Sequence, residues 1–507
     1  MNSLSNYNPR PEGGDVLHVV APRPFAFPGR LARGADAWRL PVLAVVLCYL
    51  LLPTLLSLLS IRLLNALPHG IVNLEILAIG AVGVFLPRRV VFLMLLIDLL
   101  ADCAYSICYT YQFSVSDLLE SVRFFGALPM SRLLAGCGVV AVAIPMCWTL
   151  SLVRPHPHRR VRTACALVAL AVILLPIDML SGQNPLWHQD ISLLSGRVTR
   201  SPILTLCVRA LYAQRTEWTA RRANNEPMAS ASAQMTSWVD GLAGGAERPD
   251  VVLIVVESWG LPLDPNLAQA LTAPYLSTSI AHSYRVTYGT APFTGLTVPG
   301  EARELCHSTM GFGILHLSAQ VAQQCLPSQF HALGYENIAI HGYVGDMFYR
   351  TVWYRELGFD RTWFGPDLSH AGLPRCGGAF PGVCDGAIAQ FIGSSLLDSH
   401  QRRPRFIYWV TLNSHLPVPA RPQLPADNSC AASPALSGSA ALCSWFRLVR
   451  AVHQSVSQVA AENAARPTVF ILVGDHAPPF ADPRLRSQFS ASQVPYVMLT
   501  PASLPPH

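Results

Sequence analysis

Lysine is missing altogether from the 507 residues, and charge of any kind is scarce: 13% of positions are charged against 51% hydrophobic. So little charge excludes a chain that is soluble throughout; the length allows two or three domains, part of them in a membrane. Positive charge rests on arginine alone, the net balance of +6 is modest, and the arginines gather beside apolar segments. That distribution speaks for membrane topology and against a nucleic-acid partner. The 13 cysteines show no C-x-x-C and no Cys/His zinc spacing, and the apolar segments show no internal repeat of the transporter kind. The first apolar segment has no small-residue cleavage site and starts too late for a cleaved signal peptide, so it is expected to stay as an anchor.

What is present begins with a tail over 1–39, rich in Pro and Gly and carrying Arg10, Arg23, Arg30, Arg33 and Arg39. Five apolar segments follow, at roughly 40–60, 70–87, 90–110, 132–153 and 163–181, each near the ~20 residues that cross a bilayer. Arg88 and Arg89, and the group Arg154, Arg159, Arg160 and Arg162, mark two loops and the tail as cytoplasmic. The loop near 111–131, with Asp117, Glu120 and Arg123, has no positive excess and fits the opposite side. An odd number of spans then places everything after about residue 182 outside. Residues 182–248 form a juxtamembrane linker, with interfacial helices expected around 197–222. Glu75, Asp98 and Asp102 lie inside apolar segments, where function, polar contacts between helices or a wet cavity each account for them.

The cysteines divide by location. Cys48, Cys103, Cys108, Cys137, Cys147 and Cys165 sit in apolar stretches as small hydrophobes, and Cys207 stands alone. The other six form close pairs, Cys306 with Cys325, Cys376 with Cys384 and Cys430 with Cys443, which suits local disulfides in an oxidising compartment.

From 249 onward one pattern recurs, a short apolar run that stops at a polar tip. Val251–Val256 ends at Glu257; Asn337–Ile340 ends at His341; Phe406–Leu412 ends at Asn413, Ser414 and His415; Thr468–Val473 ends at Gly474, Asp475 and His476. Uninterrupted apolar runs of this length read as strands buried on both faces of a parallel sheet, with crossover helices at 316–333, 384–396 and 444–464. The fold class is α/β. Ligands of such sheets bind beyond the carboxyl ends of the strands, and carboxylates and imidazoles gathered there suit a divalent metal. Glu257, Asp475 and His476 would leave one place for a reacting group. Thr297, in the turn Gly295-Leu296-Thr297, is the candidate, since a metal can turn an alcohol into a nucleophile.

ESWG at 257–260, GLTVPGE at 295–301, FYRTVWYRELGFD at 348–360, TLNSHLP at 411–417 and GDH at 474–476 resemble, in order and separation, a known group. It is the sulfatase-like ectodomain of lipoteichoic acid synthases and related phosphoglycerol or phosphoethanolamine transferases, in the alkaline phosphatase superfamily. The resemblance covers roughly 249–507, and a five-helix membrane anchor with a juxtamembrane linker also matches. It implies that Glu257, Thr297, Asp475 and His476 bind one divalent metal, Mn²⁺ or Zn²⁺, with Thr297 also the nucleophile. It gives Arg350 the substrate phosphate and His415 a place near the phosphoryl oxygens or leaving group; Phe348 stands where a tryptophan lines the site, and His341 joins the substrate side. Phosphoethanolamine transferases often carry a further histidine soon after the Asp-His pair; ADPRLRSQFSASQ has none, which favours the phosphoglycerol branch.

The expected enzyme is a multi-pass protein of the bacterial inner membrane with its catalytic domain on the periplasmic or extracellular side. The expected chemistry has two steps: Thr297 takes the head-group phosphate from a membrane phospholipid, and an extracytoplasmic glycan or lipid hydroxyl then takes it from Thr297. A true sulfatase needs Cys or Ser in a C/S-x-P-x-R context. Here Thr297 comes first and Glu301 stands in the arginine's place. Hydrolysis of a phosphodiester would use the same motifs, and a metal-free membrane scaffold would need none of them.

Overall fold

The structure, a computed structural model, describes residues 38–505 apart from 65–71, 111–117, 119–120, 181–198, 201–226, 243–247, 398–402, 426–427, 432 and 481–482. The tail at 1–39 and the interfacial helices expected around 197–222 therefore fall almost entirely outside the described residues.

Each apolar segment carries a helix: α1 (Val42–Leu64), α2 (Leu74–Gly83), α3 (Arg88–Thr110), α4 (Met130–Leu152) and α5 (Arg160–Leu180). Among the described residues α4 is long and apolar enough to cross a membrane, while Val42–Leu56 and Leu74–Gly83 are shorter apolar runs. The segment expected at 70–87 is helical over 10 residues only, ~15 Å at the helical rise. Asn73 stops it at one end, accepting from the amides of Glu75 at 2.9 Å and Ile76 at 3.3 Å. The same asparagine donates its amide to Asp98 at 3.3 Å. Asp98 is fully buried and also hydrogen-bonded by Glu75, so this carboxylate makes a polar contact between helices.

The second half is built on seven strands: β1 (Asp250–Val256), β2 (Tyr284–Pro292), β3 (Glu336–His341), β4 (Arg361–Trp363), β5 (Arg405–Val410), β6 (Thr468–Gly474) and β7 (Gln493–Pro501). They lie in the order β2-β7-β6-β1-β5-β3-β4. The five strands from β6 to β4 are parallel to their neighbours, and β7 and β2 are antiparallel. Every residue of β1, β5 and β6 is buried, which is why these runs do not alternate with polar residues. Each buried Val, Leu or Ile adds about 1.5–3 kcal/mol of apolar transfer free energy.

Register places the site. Val255 of β1 is opposite Val410 of β5 on one side and Val473 of β6 on the other. Glu257, the turn after Val410 and the Gly474–His476 tip therefore emerge together at one edge. Helices α6 (Thr297–Cys306), α7 (Arg350–Glu356), α8 (Asp385–Leu397) and α9 (Ala440–Glu462) complete the layers, with two short helices, Ala319–Ala322 and Leu326–Ala332, in the first expected crossover. Disulfides join Cys306 to Cys325, Cys376 to Cys384 and Cys430 to Cys443. The stretch 228–242, within the juxtamembrane linker expected at 182–248, lies against this domain: Met235 and Val239 enter its core, and Ser232 Oγ donates to Glu304 at 3.0 Å.

Candidate active site

At the end of β1 the chain turns sharply, with Ser258 in the left-handed region at φ 57°. The turn aims two donors at the next groups: the Ser258 amide donates to Asp475 Oδ1 at 2.7 Å and its hydroxyl to Glu257 Oε1 at 2.8 Å. Thr297 opens α6, and its Oγ1 donates to Glu257 Oε2 at 3.0 Å. Gly295, at φ 70°, makes the turn into that helix. One turn on, a Cβ at Gly300 would stand 2.9 Å from the Asp475 Cβ, so only glycine lets α6 approach this closely.

His476 donates Nδ1–H to the Ala477 carbonyl at 2.9 Å, because a carbonyl can only accept. Its other nitrogen, Nε2, then faces Asp475 Oδ2 at 3.2 Å and Glu257 Oε1 at 3.5 Å. One ligand atom each from Glu257, Asp475 and His476 lie within 4.8 Å of one another. Asp475 Oδ2 and His476 Nε2 are buried without a hydrogen-bond partner. Two buried acceptors aimed into one space, beside two carboxylates, fit a divalent cation.

Proton affinities in the cluster point the same way. Burial and then Glu257 push the Asp475 carboxyl up to about 7. Burial alone would lower His476, but Asp475 and Glu257 push it up to about 9. Burial would also raise Glu257, but the His415 and His476 imidazoles and the Ser258 hydroxyl hold it well below the usual range. The cluster is short of positive charge, and protons collect where an ion would sit.

His415 lies in the turn after β5, half-buried, with Nδ1–H donated to the Leu416 carbonyl at 2.7 Å. Burial lowers its proton affinity, leaving Nε2 of the neutral imidazole free to take a proton. Asp385 holds this turn by accepting from the amides of Leu412 at 3.0 Å and Asn413 at 2.7 Å.

The other expected residues stand further back. His341 is buried at the end of β3 with Nδ1 on the Val410 carbonyl at 3.1 Å, and burial and Arg350 lower it to about 3. Arg350, assigned to the phosphate by resemblance, is bound to Glu301 at 3.0 Å from Nε and 2.5 Å from Nη2, with Nη1 making a weaker 3.4 Å bond to the Met347 carbonyl. Glu301 also accepts from Tyr354 at 2.7 Å and Tyr408 at 3.2 Å. Phe348 sits beside this pair, its ring 5.3 Å from Arg350 Cζ.

Two features of α6 escape a reading of the sequence. Glu301 ties the helix of Thr297 to α7. Arg303, also buried, donates to the Gly474 carbonyl at 2.6 Å and the Asp475 carbonyl at 3.3 Å, so the hydroxyl and the Asp-His pair are held by one helix. The only local signal was the density of charge in GEARE, 300–304, within a helix start.

Comparison with protein families matches residues 249–507 to the family described as Sulfatase. Among solved structures, a protein in the alkaline phosphatase superfamily from Vibrio parahaemolyticus is similar at 14% identity and TM-score 0.34, covering 56% of this chain and 64% of that one, less than two thirds. The lipoteichoic acid synthase LtaP from Listeria monocytogenes is similar at 12% identity and TM-score 0.37, over 51% of this chain and 67% of that one. The phosphoglycerol transferase GacH of Streptococcus pyogenes, in complex with sn-glycerol-1-phosphate, is similar at 14% identity and TM-score 0.32, over 57% and 74%. No curated protein matches. With the family match reaching over more than half of the 507 residues, the chain belongs to the sulfatase family.

Proposed function

We propose that this chain is a membrane-anchored transferase that moves the phosphorylated head group of a phospholipid, phosphoglycerol in preference to phosphoethanolamine, onto a hydroxyl of an extracytoplasmic glycan or lipid. The observation that carries this reading is the Thr297 hydroxyl 3.0 Å from Glu257, beside the unpartnered Asp475 Oδ2 and His476 Nε2. Glu257, Thr297, Asp475 and His476 would hold the divalent ion, Mn²⁺ or Zn²⁺. When bound, it supplies Lewis acidity that favours the ionised hydroxyl and neutralises charge on the phosphoryl oxygens.

The chain's own residues do the rest. Glu257 orients the Thr297 oxygen, and the start of α6 turns its free amides and positive dipole end toward the same place. The Thr297 oxygen bonds to phosphorus as the bond to the glyceride oxygen breaks, and the proton from Thr297 ends on the departing diacylglycerol, carried by His415 Nε2. In the second step the acceptor hydroxyl gives its proton to His415 and displaces Thr297 from phosphorus, and His415 passes that proton to the Thr297 oxygen, restoring the hydroxyl. Arg350 acts by fixing Glu301 and with it α6; its Nη1, the least engaged donor, is the atom offered to a phosphoryl oxygen. Thr297 and Glu301 stand where a formylglycine sulfatase requires Cys or Ser and Arg, which counts against sulfate ester chemistry.

Five apolar segments in the sequence, of which α4 is a helix long and apolar enough to cross a membrane, support placement as a multi-pass protein of the bacterial inner membrane, with the catalytic domain outside. Tethering raises encounter with a donor confined to the bilayer. Intact-protein mass spectrometry after incubation with metal and phospholipid tests this function: a glycerol phosphate adduct at Thr297 is expected. An ethanolamine phosphate adduct would move the enzyme to the other branch, and a metal-replete protein that never carries an adduct would overturn the covalent mechanism.

A further inference from the structure

The connection between α3 and α4 touches the catalytic domain. Its 3-10 turn, Val122–Ala127, buries Phe124 in the same apolar core as β1. The Phe124 ring lies 5.2 Å from that of Phe348 and 4.8 Å from that of Tyr349, edge-on to both, and the Tyr343 hydroxyl donates to the Ala127 carbonyl at 2.6 Å. Phe348 and Tyr349 are both left-handed, at φ 57° and 50°, and immediately precede Arg350. Two such residues in a row cost of order 1–3 kcal/mol each and persist only where their surroundings hold them. Phe124 is one of those surroundings.

Two further features bear on what this contact meets. Val122 and Phe125, on either side of buried Phe124, are about half exposed, and Met130 at the start of α4 is 68% exposed, which gives the contact an apolar rim level with the end of a membrane-length helix. Arg132 lies in the first turn of α4, where the helix dipole disfavours a cation, and its charge reaches His415. Helix stability does not account for it there.

We infer that residues 122–132 of the membrane half form one wall of the active site and select a donor that lies in the bilayer, an anionic glycerophospholipid whose acyl chains meet the apolar rim while its phosphodiester faces Arg132. The inference rests on the transferase reading above and adds to it a specificity determinant outside the family-matched segment.

Its test compares two forms of one donor with the full chain in vesicles: long-chain phosphatidylglycerol in the bilayer, and dihexanoyl phosphatidylglycerol free in solution, both assayed for diglyceride release. The ratio of kcat/KM for the bilayer form to that for the soluble form should fall by about tenfold or more in Phe124→Ala, whereas Arg132→Gln should lower kcat/KM for both forms about equally, since both carry the phosphodiester. An unchanged ratio in Phe124→Ala, or an unchanged kcat/KM for both forms in Arg132→Gln, overturns the inference. Should Phe124→Ala fail to fold, Phe124→Leu carries the same comparison. A second readout needs no turnover: Phe124→Cys with Tyr349→Cys should cross-link in resting membranes, detected by peptide mass spectrometry. If the wild type consumes neither donor, the transferase reading fails while the cross-link still decides the wall; a pair that never cross-links overturns the wall itself.

Discussion

Two charged clusters flank one short helix, α6, and differ in a single respect. Glu301 and Arg350, with Tyr354 and Tyr408, form a buried pair in which the carboxylate is answered by a cation and two hydroxyls. Glu257, Asp475 and His476, at the other side of α6, are equally buried yet leave Asp475 Oδ2 and His476 Nε2 without a hydrogen-bond partner. Burial and charge are common to both clusters. Satisfaction separates them, and under the proposed function the second cluster is where a divalent cation would bind beside Thr297.

Perturbing each side should give opposite signatures. Thr297→Ala should reduce head-group transfer by about 10³-fold or more with little change in thermal melting, since the hydroxyl is half-buried and makes one bond in the cluster. Glu301→Gln should do the reverse first: it strands the buried Arg350 charge and costs about 3–5 kcal/mol of stability, read as a lowered melting temperature. Adding Arg350→Met to that variant should restore part of the loss, because a neutral pair leaves no uncompensated charge. Recovery of full transfer in the double variant would show that Arg350 has no hold on phosphate.

A smaller effect comes from ligand linkage. Mn²⁺ at about 100 times its Kd should stabilise the wild type by about 2.7 kcal/mol and leave Asp475→Asn without that gain; equal stabilisation of both would place the ion elsewhere. The smallest effect tests a buried histidine outside both clusters. His453 packs 4.3 Å from Trp259, and burial lowers it from 6.5 to about 3. Below pH 6.5 the unfolded chain takes a proton that the folded chain refuses, so stability should decline by about 1.4 kcal/mol per pH unit until pH nears 3. His453→Phe should flatten that slope, and an unchanged slope would assign the acid sensitivity to other groups.

The sheet was legible because its central strands are buried on both faces and read as unbroken apolar runs, each stopping at a polar tip. Glu257, Asp475 and His476 followed from those tips and the parallel register, and Thr297 from its glycine turn and its motif. The Glu301–Arg350 pair was not legible, since partners 49 residues apart leave no local period in a sequence. The reach of Arg303 to the Gly474 carbonyl, 171 residues away, was hidden for the same reason. Hydropathy overstated the second apolar segment: a residue scale counts Asn73 as one polar position, whereas its side chain caps a helix and ends it. The docking of Phe124 was invisible too, because a lone aromatic in a loop does not say which surface it meets.

The central claim is that the unsatisfied cluster is a metal site whose ion serves Thr297, and metal content measures it directly. Purified wild-type protein, assayed by elemental mass spectrometry beside Asp475→Asn and Glu301→Gln, should carry about one Mn²⁺ or Zn²⁺ per chain. Asp475→Asn should lose that ion, and the folded fraction of Glu301→Gln should keep it. A wild-type enzyme active without a divalent metal, or an Asp475→Asn variant with the full complement, would contradict the account.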